Sequence, residues 1–183
     1  MKNVNFQIYV FKDFDGLSSL LFRGLASIAK IEMRYQTLTD KSIALLVENA
    51  KNLENLQVLD LQSCDIEGTM LQGFVRCFKN LRALIFSGNR LLSRAGVELG
   101  ESILGSKLEI IELADCGLTE DGIISMFSAL HAPNCMIRKL DISVKGSSSF
   151  KDNSLITYTK KKLEIVAYIL VQDYELSLQA ANF

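Results

Sequence analysis

Apolar residues follow two alternating rhythms along this chain, and the pair of rhythms repeats. From Leu56 the order is Leu56, Leu59, Leu61, Cys64, Ile66, which reads L-x-x-L-x-L-x-x-C-x-I. The phrase returns as Leu81, Leu84, Phe86, Asn89, Leu91 and again as Leu108, Ile111, Leu113, Cys116, Leu118. Blurred copies flank these three: Ile28, Ile31, Met33, Gln36, Leu38 before them, and Ile137, Leu140, Ile142, Lys145, Ser147 after. The starts at 28, 56, 81, 108 and 137 lie 28, 25, 27 and 29 residues apart. Within a phrase, Leu59 and Leu61 are two apart and share one face of a strand, so Asp60 points to the opposite face. A helical stripe follows each phrase. After Leu38 it is Ile43, Leu46, Val47, Ala50 and Leu53; after Ile66 it is Met70, Leu71, Phe74, Val75 and Phe78. After Leu91 it is Val97, Leu99, Ile103 and Leu104; after Leu118 it is Ile123, Ile124, Phe127 and Leu130. Thr39 or Asp40, Ser93 and Thr119 stand where N-caps belong. Each unit therefore reads strand, turn, helix, turn, and neither half buries its apolar face alone.

The ninth position of the phrase sits at the turn, where buried backbone groups need partners. Asn89 offers both donors and acceptors there. Cys64 and Cys116 are smaller and imitate it in part, as buried turn residues rather than reactive thiols. The ends are less regular. Residues 1–27 read as a worn first repeat, with Ile8 and Val10 alternating and Leu17, Leu20, Leu21 and Leu25 helical. Leu163 to Val171 begins 26 residues after Ile137, and its β-branched and aromatic content favours an edge strand with Val166 and Tyr168 inward; a short capping helix is the alternative. The chain of 183 residues is expected to form one domain: a degenerate N-terminal unit (1–27), about five repeats (28–147) and a degenerate C-terminal unit (148–183).

The leucine phrases, the interval near 27 residues and one helix segment carry a resemblance. Leu118-Thr119-Glu120-Asp121-Gly122 through Ala129-Leu130 looks like an L-T-x-x-G…A-L signature, and Leu38-Thr39-Asp40-Lys41-Ser42 echoes it. Together these resemble the leucine-rich repeat family, in its long-repeat, ribonuclease-inhibitor-like class. The resemblance implies an α/β solenoid, a curved, right-handed β-α superhelix. Its parallel sheet lines the concave face and its helices the convex face. It also implies a protein–protein interaction module that binds through the concave strand face. Rival readings remain open: a regulator or inhibitor of an enzyme such as a small GTPase, with Arg34 and Arg90 as the nominees; an actin-binding cap like the C-terminal half of tropomodulin; or a bacterial effector acting on a host protein.

Composition narrows the function. The net charge is −1, so the basic footprint of a nucleic-acid binder is missing. The longest apolar run, Ile165 to Val171, is too short to span a bilayer, and residues 1–14 lack a clear signal-peptide core. Cys64, Cys77, Cys116 and Cys135 show no metal-ligand spacing, and a reducing, cytoplasmic setting suits them. No cofactor is implied. The lone His131 lies near a helix end rather than in a catalytic set. Gly100-Glu101-Ser102-Ile103-Leu104-Gly105-Ser106-Lys107 has the look of a phosphate loop, but its last two residues are reversed and it closes a helix. Gly105 suits a helix C-terminus instead.

What remains is the outward row of the strands. Between the paired core residues stand Glu32, Asp60, Ile85, Glu112 and Asp141, a nearly continuous acidic line. Two positions earlier the row is Lys30, Val58, Ala83, Ile110 and Lys139; two positions later it is Arg34, Gln62, Ser87, Ala114 and Ser143. The expected binding residues are accordingly Glu32, Arg34, Asp60, Gln62, Ile85, Glu112, Asp141, Val58, Ile110 and Lys139. Their complement is another protein with a basic and apolar face. The chain itself is expected to be a monomer, or to self-associate weakly through an end strand.

Overall fold

The computed structural model describes residues 28–67, 71–91 and 94–142, together with the backbone of 156–159 and 166–167. The expected first repeat (1–27), Met70, Ser93, Tyr168 and positions 143, 145 and 147 lie outside them. Strand and helix alternate as the periodicity predicts: β1 (Lys30–Glu32), α1 (Asp40–Glu48), β2 (Val58–Asp60), α2 (Leu71–Cys77), β3 (Ala83–Ile85), α3 (Ala95–Ile103), β4 (Ile110–Glu112), α4 (Glu120–Leu130) and β5 (Lys139–Asp141). These five strands pair in parallel and in sequence order, giving an α/β fold. The register is the one the repeat phase dictates. Ile31, Leu59, Leu84, Ile111 and Leu140 form one row, all buried against the helix layer.

The end of the sheet departs from the repeat. β6 (Ile156–Thr159) runs antiparallel to β5, and β7 (Val166–Ala167) runs antiparallel to β6. The strand expected within Leu163 to Val171 is present, but parallel stacking stops at β5. A parallel neighbour needs a crossover that returns the chain to the same end of the sheet, whereas an antiparallel one needs only a reversal. The worn phrase at Lys145 and Ser147 supplies no apolar pair to continue the repeat.

The turn after each strand uses one backbone device. The eighth residue of the phrase is left-handed in every described copy: Tyr35 (φ 57°), Ser63 (φ 52°), Gly88 (φ 74°) and Asp115 (φ 56°). The ninth residue then satisfies the buried groups. Asn89 accepts at Oδ1 from the backbone N–H of Cys64 (2.9 Å) and Ile66 (3.1 Å). Its Nδ2 donates to the carbonyls of Leu61 and Phe86, both at 2.7 Å. Where cysteine stands instead, the thiol reaches the equivalent carbonyl of the preceding repeat: Cys64 to Met33 (2.8 Å) and Cys116 to Phe86 (3.3 Å). Of the two bonds accepted at Oδ1, the one from the eleventh residue is replaced through the cysteine's own carbonyl, which accepts from Leu38 (3.0 Å) or Leu91 (2.7 Å).

Helix entry follows the sequence. Thr39 and Thr119 cap α1 and α4, accepting from the N–H of Ser42 (3.2 Å) and Gly122 (3.3 Å). Two apolar assignments need correction. Leu104 and Ile124, read as core, are 48% and 50% exposed. Gly96, Gly100, Gly122, Met126 and Ala129 turn inward instead. The helices α3 and α4 approach too closely for larger side chains. A Cβ on Gly96 would lie 3.0 Å from the Cα of Gly122, and one on Gly100 would lie 2.8 Å from the backbone carbon of Ser125. Ser125 Oγ also donates to the Val97 carbonyl (3.1 Å). Gly100, set by the sequence in a phosphate-loop lookalike, is a helix-packing residue, and Gly105 (φ 80°) ends α3 as expected.

Gly73 in α2 is different, since a Cβ there meets nothing within 4 Å. Gly73→Ala is therefore expected to raise stability by about 0.5–1 kcal/mol through helix propensity. Gly100→Ala is expected to lower it by about 1–3 kcal/mol through overpacking. Urea denaturation of both variants checks the opposite signs.

Candidate functional site

The outward face of the sheet assembles the three predicted rows. Lys30, Val58, Ala83, Ile110 and Lys139 align across the five parallel strands, as do Glu32, Asp60, Ile85, Glu112 and Asp141. Strand alternation alone produces this, because every second residue of a short strand points away from the helices. Beyond the strands the ladder continues: Tyr35 N–H bonds the Gln62 carbonyl (3.0 Å) and Ser63 N–H the Ser87 carbonyl (2.8 Å). That pairing carries Arg34, Gln62 and Ser87 into a third row.

The acidic line is not a line of free charge. Glu32 pairs with Lys30 Nζ (2.6 Å) and with Arg34 Nε (3.2 Å). Glu112 takes Lys139 Nζ (2.6 Å). Asp60 departs furthest from expectation. Strand alternation puts it on the open face, yet it is 0% exposed. Arg34, from the neighbouring strand's extension, lies over it, donating Nε to Oδ2 at 2.8 Å and adding Nη2 at 2.5 Å. Gln62 N–H donates to the other oxygen (3.2 Å). Each oxygen of the carboxylate thus holds a donor, and bonds of this charge-assisted kind are the stronger ones. Like charges stacked about 4.8 Å apart would repel, and interleaved cations relieve that repulsion.

The electrostatics follow from the contacts. The Lys30 hydrogen bond is the main reason the Glu32 carboxyl ionises below its usual range, with Lys30 and Arg34 charges assisting against some burial. The Asp60 hydrogen bond raises the Arg34 guanidinium above its usual value. Arg34 is thus committed to two carboxylates and is no free cation for a transition state. Burial pushes the thiols of Cys64 and Cys116 up to about 11, so both stay protonated at neutral pH. His131 caps α4, with Nδ1 2.7 Å from the Phe127 carbonyl. Among the described residues no group of His, Cys, Asp and Glu is placed to hold a metal ion, and no helix is long and apolar enough to cross a membrane.

With the charges paired, the middle of the face is apolar. Val58, Ile85 and Ile110 are half-buried and adjoin across β2, β3 and β4. At the margin stands Tyr35, which belongs to none of the three predicted rows. It is 73% exposed, held in the left-handed region, and its hydroxyl is 3.5 Å from Gln62 Nε2. The signal was available: Tyr35 occupies the repeat position filled elsewhere by Ser63, Gly88 and Asp115, small or turn-forming residues. A bulky residue at positive φ carries strain of about 1–3 kcal/mol.

The family model described as Leucine Rich Repeat matches residues 55–77, the second phrase and the helix after it. No curated protein matches the sequence. Among solved structures, the tropomodulin C-terminal domain of Caenorhabditis elegans superposes with a TM-score of 0.60 at 16% identity, over 74% of this chain and 86% of that one. The likeness is one of fold.

Two outcomes follow from this geometry. Arg34→Ala uncovers Asp60 without its cation and is expected to cost about 2–4 kcal/mol in urea denaturation. The buried thiols titrate late, so their protonated form favours the fold. That contribution is complete below the ordinary thiol value of about 8.5 and is lost as pH rises from there towards about 11. Stability measured between pH 8 and 11 is expected to fall, and Cys64→Ser/Cys116→Ser to flatten the fall.

Proposed function

We propose that this chain is a non-enzymatic interaction module of the ribonuclease-inhibitor-like leucine-rich repeat class, a curved solenoid whose outward sheet face is the concave, partner-binding side. The observation that carries this reading is the apolar centre formed by Val58, Ile85 and Ile110, bordered by ion pairs and by exposed Tyr35. Aromatic and arginine residues around a desolvated centre are the usual anchors of protein interfaces. Carboxylates on the rows slightly outnumber cations: Glu32, Asp60, Glu112 and Asp141 against Lys30, Arg34 and Lys139. The partner is a folded protein with an apolar patch and a modest basic border, since complementary charge steers the encounter while apolar contact holds it. Asp60 acts through Arg34, by fixing the guanidinium's position, and does not touch the partner. Four cysteines, none of them in a disulfide, favour a reducing, cytoplasmic setting. A second reading, binding to actin, draws on the fold-level match to the tropomodulin domain.

Affinity capture with quantitative mass spectrometry tests the face. Val58→Asp/Ile110→Asp and Tyr35→Ala are each expected to lower recovery of the bound partner at least about tenfold. Ile124→Asp, on an exposed helix position, is expected to leave it unchanged. Equal recovery by all three variants would remove the sheet face from the reading. Co-sedimentation with filamentous actin decides the second reading, which ends if the chain stays in the supernatant.

A further inference from the structure

Among the described helices, one junction is tightly packed and another is open. The helices α3 and α4 meet through Gly96, Gly100 and Gly122. Between the C-terminal ends of α1 and α2 lies a cleft of about 460 Å³. That volume lies in the range of ligand-binding pockets, about 300–1,000 Å³. Its apolar lining comes from Val47, Ala50 and Leu53, and Cys77 also faces it.

The charges around the cleft differ inside and out. Lys51, Arg76 and Lys79 line it, but Glu48, Glu54 and the carbonyl ends of two helices offset them. The imbalance lies along the adjoining rim, at the starts of the strands. Asn80, at the lip, donates Nδ2 to the Glu54 carbonyl and accepts Lys107 Nζ, both at 2.7 Å. Next along the rim, Arg82 and Arg138 flank one carboxylate, Glu109, at 2.6 and 3.7 Å. Both arginine side chains are more than half exposed, and each guanidinium has donors to spare. Rim cations therefore run from the cleft across β3, β4 and β5, with Glu109 as the carboxylate that Arg82 and Arg138 share.

We propose that this cleft and rim bind an acidic peptide segment of another protein, with one apolar side chain seated between α1 and α2 and the following carboxylates on Lys107, Arg82 and Arg138. Charge complementarity selects this occupant. The rim spans two inter-strand steps, about 10 Å, which matches three to four residues of extended chain. The site lies on a different surface from the sheet face and stands independently of the function proposed for it. An Arg pair is suited to bidentate carboxylate contacts.

Cys77 is a built-in reporter, half-buried at the cleft while Cys64, Cys116 and Cys135 are buried. The experiment measures alkylation of Cys77 in the full chain, read by mass spectrometry, with an added peptide Ac-Leu-Glu-Glu-Glu-Glu-amide. The expected result is slowing of alkylation that weakens at higher salt. Lys107→Glu/Arg138→Glu is expected to raise the peptide concentration needed at least about tenfold, and to let the lysine version of the peptide protect instead. An alanine in place of the leucine is expected to abolish protection. The sheet-face variant Val58→Asp/Ile110→Asp is expected to protect as the parent does, so loss of the sheet-face reading leaves this one standing. Four results overturn the proposal: no protection by the acidic peptide at millimolar concentration, protection indifferent to the charge reversal, equal protection by an oligonucleotide of the same charge, or protein-concentration-dependent protection without peptide, which signals a second copy in the cleft.

Discussion

Everything in this fold hangs on the turn after each strand, where the ladder between repeats leaves some buried backbone groups for a side chain to satisfy. Asn89 meets four of these groups at once and ties two consecutive repeats together. A buried donor or acceptor left alone costs about 1–3 kcal/mol, so the turn sets the position of one repeat on the next. Cys64 and Cys116 show how far the requirement bends. Each keeps the bond to the preceding repeat and hands another to its own carbonyl. The left-handed residue just before aims the ninth side chain inward, and this explains why Gly88, Ser63 and Asp115 share a position although they share no chemistry.

From that fixed stacking the sheet face follows without further choice. Short strands in register place every third, fifth and seventh residue of the phrase in rows, whatever those residues are. The chain fills the rows so that cations fall between carboxylates. The pairing is local: Lys30 with Glu32 on one strand, Lys139 with Glu112 and Arg34 with Asp60 across two. Exposed pairs of this kind add little stability, whereas the covered Asp60 is strongly dependent on its partner. The scaffold and the candidate interface therefore share one residue, Arg34, which roofs a buried charge with one face and meets solvent with the other.

Much of this was legible in the chain. The row Ile31, Leu59, Leu84, Ile111, Leu140 follows from a period of two and an interval near 27, and both are visible as letters. The caps at Thr39 and Thr119 follow from short-range chemistry. Legibility stopped where contacts cross repeats. Asp60 looked open because alternation gives a side chain's direction but not what reaches over it; Arg34 is 26 residues away. Leu104 and Ile124 looked buried because neighbouring apolar residues on a helix fit the same stripe, and the inward glycines that decide its rotation carry no hydrophobic signal. Ile156-Thr157-Tyr158-Thr159 alternates like a strand, but four residues outside the repeat phase say nothing of the direction in which β6 pairs. Tyr35 needed only an alignment of the repeats by phase.

The unequal helix layer bears on how the molecule opens. A stack of repeats behaves as a chain of neighbouring couplings, and such a chain opens first at its weakest link. Interlocked glycine backbones weld the third and fourth units into one cooperative block, while the cleft leaves the first and second joined mainly through their strands. Amide hydrogens of α1 and α2 therefore exchange with solvent ahead of those of α3 and α4, and among the described units the junction that is easiest to loosen is also the one that holds the cleft.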